Sequence, residues 1–365
     1  MSKIVIFSDL YLPTFPTLEL PLYDCLKEKI KTFFVLQEHD YRLVTPELAQ
    51  IFSPISTIVK SPKKDLVDLV GKDDLCILRF GYKNLIGDVA SSLRSAKRKI
   101  LMLDPAAIDL KFRECVAQWV TAKSEWMKQG VIKKFPGRYK NIFATGTIHF
   151  DGAFDANELA KEQIMELHGL DTKKKLAILC KASPGESGHQ KGIDDEYKQI
   201  FELIKTKCPD YELLFKAHPL DHHALLPALP GIIHKNEHYG HKPSWEVLFP
   251  GGIKVLRPEL GYNAFKVADV VLNTRSSISM EVPFFDTPLI NVNRHKYVTN
   301  WPASSNPGVM QDVKIEELEG LLKSGKFQVD KKARKEYVLK FCDPYCDGQA
   351  YRRTAEIAMQ LISGS

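Results

Sequence analysis

Short apolar runs alternate with amphipathic stretches along all 365 residues. That alternation constrains the fold more than any other feature, because it is the pattern of buried parallel strands covered by helices. In the first half the predicted strands are Ile4–Ser8, Thr32–Leu36, Tyr41–Val44, Leu75–Arg79, Lys99–Leu103 and Asn141–Ala144, with helical spacing over Leu20–Lys29 and Phe112–Gly130. The cycle then restarts. Residues 153–169 read as a helix, and Leu176–Cys180 as a new strand that ends in the Gly-rich loop Ala182–Gly192. Further elements are predicted at Gln199–Lys207, Glu212–His218, Gly252–Leu256, Ala264–Val267, Val270–Asn273 and Leu289–Val292, and helical segments from Lys331 include Tyr337–Phe341 and Ala350–Ile362.

The pattern therefore predicts an α/β chain of two Rossmann-like domains. The boundary falls near residues 147–152, giving a first domain of residues 1–148, a second of 149–335 and a C-terminal helical segment of 336–365. No stretch approaches the roughly 18 apolar residues of a membrane span. The start, MSKIVIFSDLYLP, reads as a core strand, since no small-residue cleavage site follows it. Seven Cys, an odd number, suit a reducing, cytoplasmic compartment better than a disulfide framework. Cys342-x3-Cys346 is the one close pair, and with no second pair or nearby His no metal site is expected. The net charge of +6 is spread over clusters such as Lys60–Lys64, Lys97–Lys99 and Lys173–Lys175. These read as solvated helix ends and loops and match no nucleic-acid-binding motif. They suit a ligand that carries phosphates, or an acceptor held near an anionic membrane surface.

Two Rossmann-like halves hold ligands in the crevice at the carboxyl ends of their strands, so residues at those ends carry most weight. The first motif is Leu213-Leu-Phe-Lys-Ala-His218-Pro219, an apolar strand ending in His-Pro. Pro219 biases His218 to an extended conformation. The imidazole can donate to a phosphate oxygen there, or satisfy local backbone groups. The second motif is Ala268-Asp-Val-Val-Leu-Asn-Thr274-Arg275-Ser276-Ser277-Ile-Ser-Met-Glu281. It reads as a buried strand, a hydroxyl-rich turn and a helix capped by Ser276 or Ser277, which Pro283 limits or kinks. Capping alone accounts for the serines. The helix start would also offer free N–H groups to an anion, Arg275 a bidentate phosphate contact and Glu281 a carboxylate for ribose hydroxyls.

A His-Pro strand end and a Ser-Ser turn about 57 residues later, in the second half of a two-Rossmann chain, resemble the glycosyltransferase B-fold (GT-B) superfamily. The likeness is nearest to CDP-glycerol glycerophosphotransferases and related capsule-polymer transferases, and several bacterial sialyltransferases carry similar motifs. Ala144-Thr-Gly-Thr-Ile-His-Phe-Asp151 looks like the family's crossover between domains, Ala268-Asp269 like its lead-in to the Ser-Ser strand, and Asp347-Gly348-Gln-Ala350 like the terminal segment where a helix returns to the first domain. The resemblance covers about residues 140–362; the first 140 match in architecture only.

The resemblance implies that His218, Thr274, Arg275, Ser276 and Ser277 hold the donor phosphates and Glu281 the ribose. The family often carries Asp and Tyr where this chain has Thr274 and Arg275. Lys181 opens the Gly-rich loop, which is placed either near the donor or on the surface. Where related transferases end a strand in Trp-His-Gly, this chain has Asp104-Pro105 after Lys99–Leu103. Asp104 is the first candidate base, or else a helix cap, and Asp109 is the second. Asp9 and Arg79, at strand ends of the first domain, are candidate acceptor contacts. No Asp-x-Asp occurs, so the expected transfer needs no metal and no cofactor, the nucleotide-activated sugar itself being the donor. The implied reaction moves the sugar or a related group, with inversion, to a hydroxyl of a glycan or similar acceptor. Two other readings of the fold are a nucleotide-sugar 2-epimerase and a non-catalytic nucleotide-sugar-binding protein.

Overall fold

In a computed structural model of the chain, the strands of the first half send successive side chains into two different cores. Val5, Phe7, Val35, Cys76, Leu78, Ile100 and Met102 enter one. Ile4, Ile6, Phe34, Leu36, Leu75, Ile77, Leu101 and Leu103 enter the other. Both faces of the sheet are buried, which is why each of these strands has a continuous apolar run that does not alternate with polar residues, the polar ones standing at the strand ends. The structure describes residues 2–8, 15–38, 50, 52–79, 85–103, 117–154, 159–182, 190–218, 243–293 and 302–364.

The chain forms two compact units, Met1–Phe154 with Leu339–Ser365, and Asp155–Val338. The first unit holds β1 (Ile4–Ser8), β2 (Thr32–Gln37), β3 (Ser56–Val59), β4 (Leu75–Arg79), β5 (Lys99–Leu103), β6 (Trp119–Ala122) and β7 (Asn141–Ala144). They pair in parallel in the order β3-β2-β1-β4-β5-β6-β7. The second holds β8 (Lys175–Cys180), β9 (Tyr211–Lys216), β10 (Lys254–Val255), β11 (Val270–Asn273), β12 (Leu289–Val292) and β13 (Gln311–Val313), parallel in the order β10-β9-β8-β11-β12-β13. In each sheet the chain winds outward from its first strand and then crosses to the other side. That is the doubly wound order, with a switch point between β1 and β4 and another between β8 and β11.

Two expectations are corrected. The helix expected over Phe112–Gly130 is replaced, in its described part, by β6 and a helix at Glu125–Lys134. Trp119-Val-Thr-Ala favours the extended state, and the Ser124 hydroxyl accepts from Met127 N at 3.2 Å, which starts the helix there. The helix expected over residues 153–169 is confined to Lys161–Leu167 among the described residues. The candidate strand Tyr41–Val44 lies outside them.

The helix Ala350–Ser363 belongs to the first unit, where Ala355, Ala358 and Tyr351 join the core of Leu22, Leu26 and Phe34. Asp151 holds its start: Ala350 N and Tyr351 N each donate to one carboxylate oxygen at 3.0 Å. Arg353 donates from Nε to Thr145 O at 2.7 Å and from Nη1 to both Asp347 oxygens at 2.8 Å. Two glycines make this close fit possible. Gly146 has φ +78°, and a Cβ there would meet Asp343 Oδ1 at 2.9 Å; Gly348 has φ +66°, and its Cβ would meet Phe154 at 2.9 Å. Residues 144–151 and 347–350, which the sequence marks as separate motifs, thus interlock. Nearby, Cys346 Sγ donates to Asp343 O at 3.4 Å and Cys342 is buried.

Candidate functional site

The carboxyl end of the second sheet is built around β8. Cys180, its last residue, is in register with Lys216 of β9 on one side and Asn273 of β11 on the other. The residues just beyond these three strands are therefore neighbours by topology. Lys181 extends the ladder one step, its N donating to Lys216 O at 3.0 Å, and its buried side chain reaches Ala182 O at 3.4 Å. Ala182 N donates to the Tyr197 hydroxyl at 2.9 Å. Tyr197 comes from the helix Gln190–Lys207, is fully buried, and packs edge-on against Phe215 of β9. Its hydroxyl lies 3.0 Å from Thr274 Oγ1, just beyond β11. Burial pushes the Tyr197 phenol well above its ordinary range, partly offset by its hydrogen-bond partners and by Arg275, so it keeps its hydrogen.

β11 ends in a polar ladder. Asn273 Nδ2 donates to Asn291 Oδ1 at 3.0 Å, and Asn291 Nδ2 donates to Asp312 Oδ1 at 2.9 Å, linking three adjacent strands at one level. Asn273 also shapes the turn, accepting from Ser276 N at 2.9 Å and donating to Ser276 O at 3.2 Å. This corrects the expected capping, because neither serine side chain caps the next element. In place of an α-helix come two 3-10 turns, Ser277–Met280 and Val282–Phe284, with Pro283 at the start of the second. Proline lacks the amide that would continue a helix, and the Asn273 carboxamide takes up the Ser276 amide that an N-cap would leave open.

His218 lies two residues past β9 and is half-buried. Burial pushes the Cys180 thiol up to about 12, with Lys216 pulling it down and Glu281 pushing it further up, so both charges lie within electrostatic reach of Cys180. Glu281 is buried between the two 3-10 turns, while Arg275 and Ser277 are half-buried.

Lys181, His218, Thr274, Arg275, Ser276, Ser277 and Glu281 thus all stand at the carboxyl edge of one sheet, beyond three adjacent strands. Arg79 ends β4 at the corresponding edge of the first sheet, with its side chain outside the described part; Asp9, Asp104 and Asp109 are also outside it. Sequence reasoning missed Tyr197, Asn273, Asn291 and Asp312. The asparagines had a usable signal, an amide side chain closing each apolar strand at matching register. Tyr197 had none, since its spacing with Ile200 and Ile204 is that of a core stripe. Among the described residues no three His, Cys, Asp or Glu side chains gather as a metal site, and no helix is long and apolar enough to cross a membrane.

No protein-family profile and no curated protein matches this sequence. Solved structures do match. UDP-GlcNAc 2-epimerase from Methanocaldococcus jannaschii, in complex with UDP-GlcNAc and UDP, is 14% identical with a TM-score of 0.63, covering 98% of this chain and 99% of its own. UDP-N-acetylglucosamine 2-epimerase from Rickettsia bellii is 14% identical at 0.63, covering 100% and 98%. The wall teichoic acid polymerase TagF, with CDPG, is 12% identical at 0.55, covering 99% and 89%. With two doubly wound parallel sheets and these neighbours, the chain has the GT-B fold of two Rossmann-like domains.

Proposed function

We propose that the protein is an enzyme that binds a nucleotide-activated sugar and transfers the sugar, or a related group, to a hydroxyl acceptor. One observation carries this reading: every donor-binding residue named from the sequence stands at the switch-point edge of the second sheet. That edge is where doubly wound sheets bind nucleotides. Arg275 and His218 supply charge and donors to the phosphates, with Ser276 and Ser277 beside them and the buried Lys181 and Thr274 in support. Glu281 is assigned to the ribose. A departing nucleotide diphosphate is stabilised by these cationic and N–H groups, without a metal or another cofactor. Asp104 takes the acceptor proton, with Asp109 as the alternate, and Asp9 and Arg79 contact the acceptor. A glycan hydroxyl, presented at an anionic membrane surface or in solution, is the acceptor class.

A second reading, nucleotide-sugar 2-epimerase, is supported by the likeness to two 2-epimerases at TM-scores of 0.63. Incubation with UDP-, CDP- and GDP-sugars, with and without glycan acceptors, separates the two. Nucleotide release that depends on acceptor supports transfer. An isomerised sugar or free nucleotide formed without acceptor supports the epimerase. If none of these nucleotides binds or turns over, both readings fail.

A further inference from the structure

Tyr197 belongs to no motif, yet its hydroxyl joins the two strand ends flanking the switch point: Ala182 N after β8 donates to it at 2.9 Å, and Thr274 Oγ1 after β11 lies at 3.0 Å. A phenol has one hydrogen. Ala182 N can only donate, which leaves the Tyr197 hydrogen for Thr274 Oγ1; in the reverse direction that hydrogen would have no partner among the described residues, the costlier arrangement. Both side chains are fully buried, with no surface to offer a ligand, whereas the next residue, Arg275, is half-buried. Family resemblance puts residue 274 against the donor, and this burial argues for a different job.

We propose that Tyr197 and Thr274 are positioning residues, a buried clasp that fixes the Arg275–Ser277 turn against the Lys181–Ala182 end. The inference rests on the nucleotide-binding reading and adds to it. The ligand contact comes from Arg275 and its neighbours, and the clasp sets where they stand. A further sign of closeness is that Arg275 acts electrostatically on the Tyr197 phenol.

The test uses the full chain, with UDP, CDP and GDP as probes in calorimetric titration and the unfolding temperature measured without ligand. Thr274→Val, which loses one hydrogen bond, is expected to weaken the nucleotide that the wild type binds by about three- to tenfold, and Tyr197→Phe, which also leaves Ala182 N without its acceptor, by at least as much. The double variant should be no weaker than Tyr197→Phe alone, because Thr274→Val removes a tie that Tyr197→Phe has already broken. Thr274→Ser should recover most of what Thr274→Val loses. Arg275→Ala should cost less in the Tyr197→Phe background than in the wild type. Wild-type affinity in both single variants, with only a lower unfolding temperature, would show ordinary core residues and overturn the proposal. So would a Thr274→Val loss well above that of Tyr197→Phe with additive effects, since Thr274 would then touch the ligand itself. If Tyr197→Phe does not fold, the cost of Arg275→Ala in the Thr274→Val background decides: a smaller cost than in the wild type supports the clasp, and the full cost overturns it. A wild type that binds none of the three probes would sink the nucleotide reading, and this inference with it.

Discussion

His218 stands half-buried two residues beyond β9, beside the end of the strand that carries Lys181. If it donates to a phosphate, His218→Ala should weaken binding or turnover by about tenfold to a hundredfold, the range of one charge-assisted contact. Kinetics on the folded variant check this, and unchanged constants would leave His218 a local role only. The base is tested by Asp104→Asn, expected to cut turnover by about a hundredfold to ten-thousandfold with little change in nucleotide affinity. If Asp109→Asn stops turnover and Asp104→Asn does not, the role passes to Asp109; if neither does, Asp9 is next. At this scale the sequence displays its strand ends. His218 precedes a proline, and Arg275 and Ser277 come after an apolar run, so their placement is legible. Tyr197 is not, because a buried phenol whose value lies in two hydrogen bonds has the same helical spacing as any core aromatic.

Strands are more legible than the connections between them. A strand buried on both faces is a contiguous apolar run, and β1, β4, β5, β7, β11 and β12 have the expected bounds. β13, only Gln311–Val313, is too short and polar to stand out. The turn after β11 differs from expectation because its shape depends on the Asn273 side chain and not on the serines. The helix Ala350–Ser363 depends likewise on a distant side chain. Asp151→Asn keeps one acceptor where two amides need one each, so it should destabilise the first unit by about 1–3 kcal/mol, read from denaturant unfolding. Burial pushes the Asp151 carboxyl up to about 6, against the pull of those amides. Burial raises Asp343 as well. A carboxyl raised on folding stabilises below its unfolded pKa, and that stabilisation is lost as pH rises through the folded value. Stability of the first unit should therefore fall between about pH 4 and pH 7, and fall less in Asp151→Asn. An unchanged slope in that variant would move the effect to Asp343.

At the scale of the molecule, the repeated strand-and-helix cycle announces two sheets, because each winding restarts with its own apolar strand. The periodic pattern does not announce that one unit is discontinuous; only the likeness of residues 347–350 to a segment that returns to the first domain points to it. Met1–Phe154 is joined by Leu339–Ser365, with the second unit in the chain between them. A chain ending at Val338 should keep the second unit folded while the first exposes the apolar core face, Leu22 and Leu26 of the helix Phe15–Lys27 and Phe34 of β2, that Ala350–Ser363 packs against. Limited proteolysis of that chain should cut within residues 1–154 and spare 155–338; equal resistance of both would mean that the first unit folds without its last helix. The same discontinuity orders events on the ribosome. Some 180 residues are made between the two parts of the first unit, about 10–40 s of translation at usual rates. The unit begun first is finished last, and during that wait its bare apolar face must be shielded by whatever attends a nascent chain.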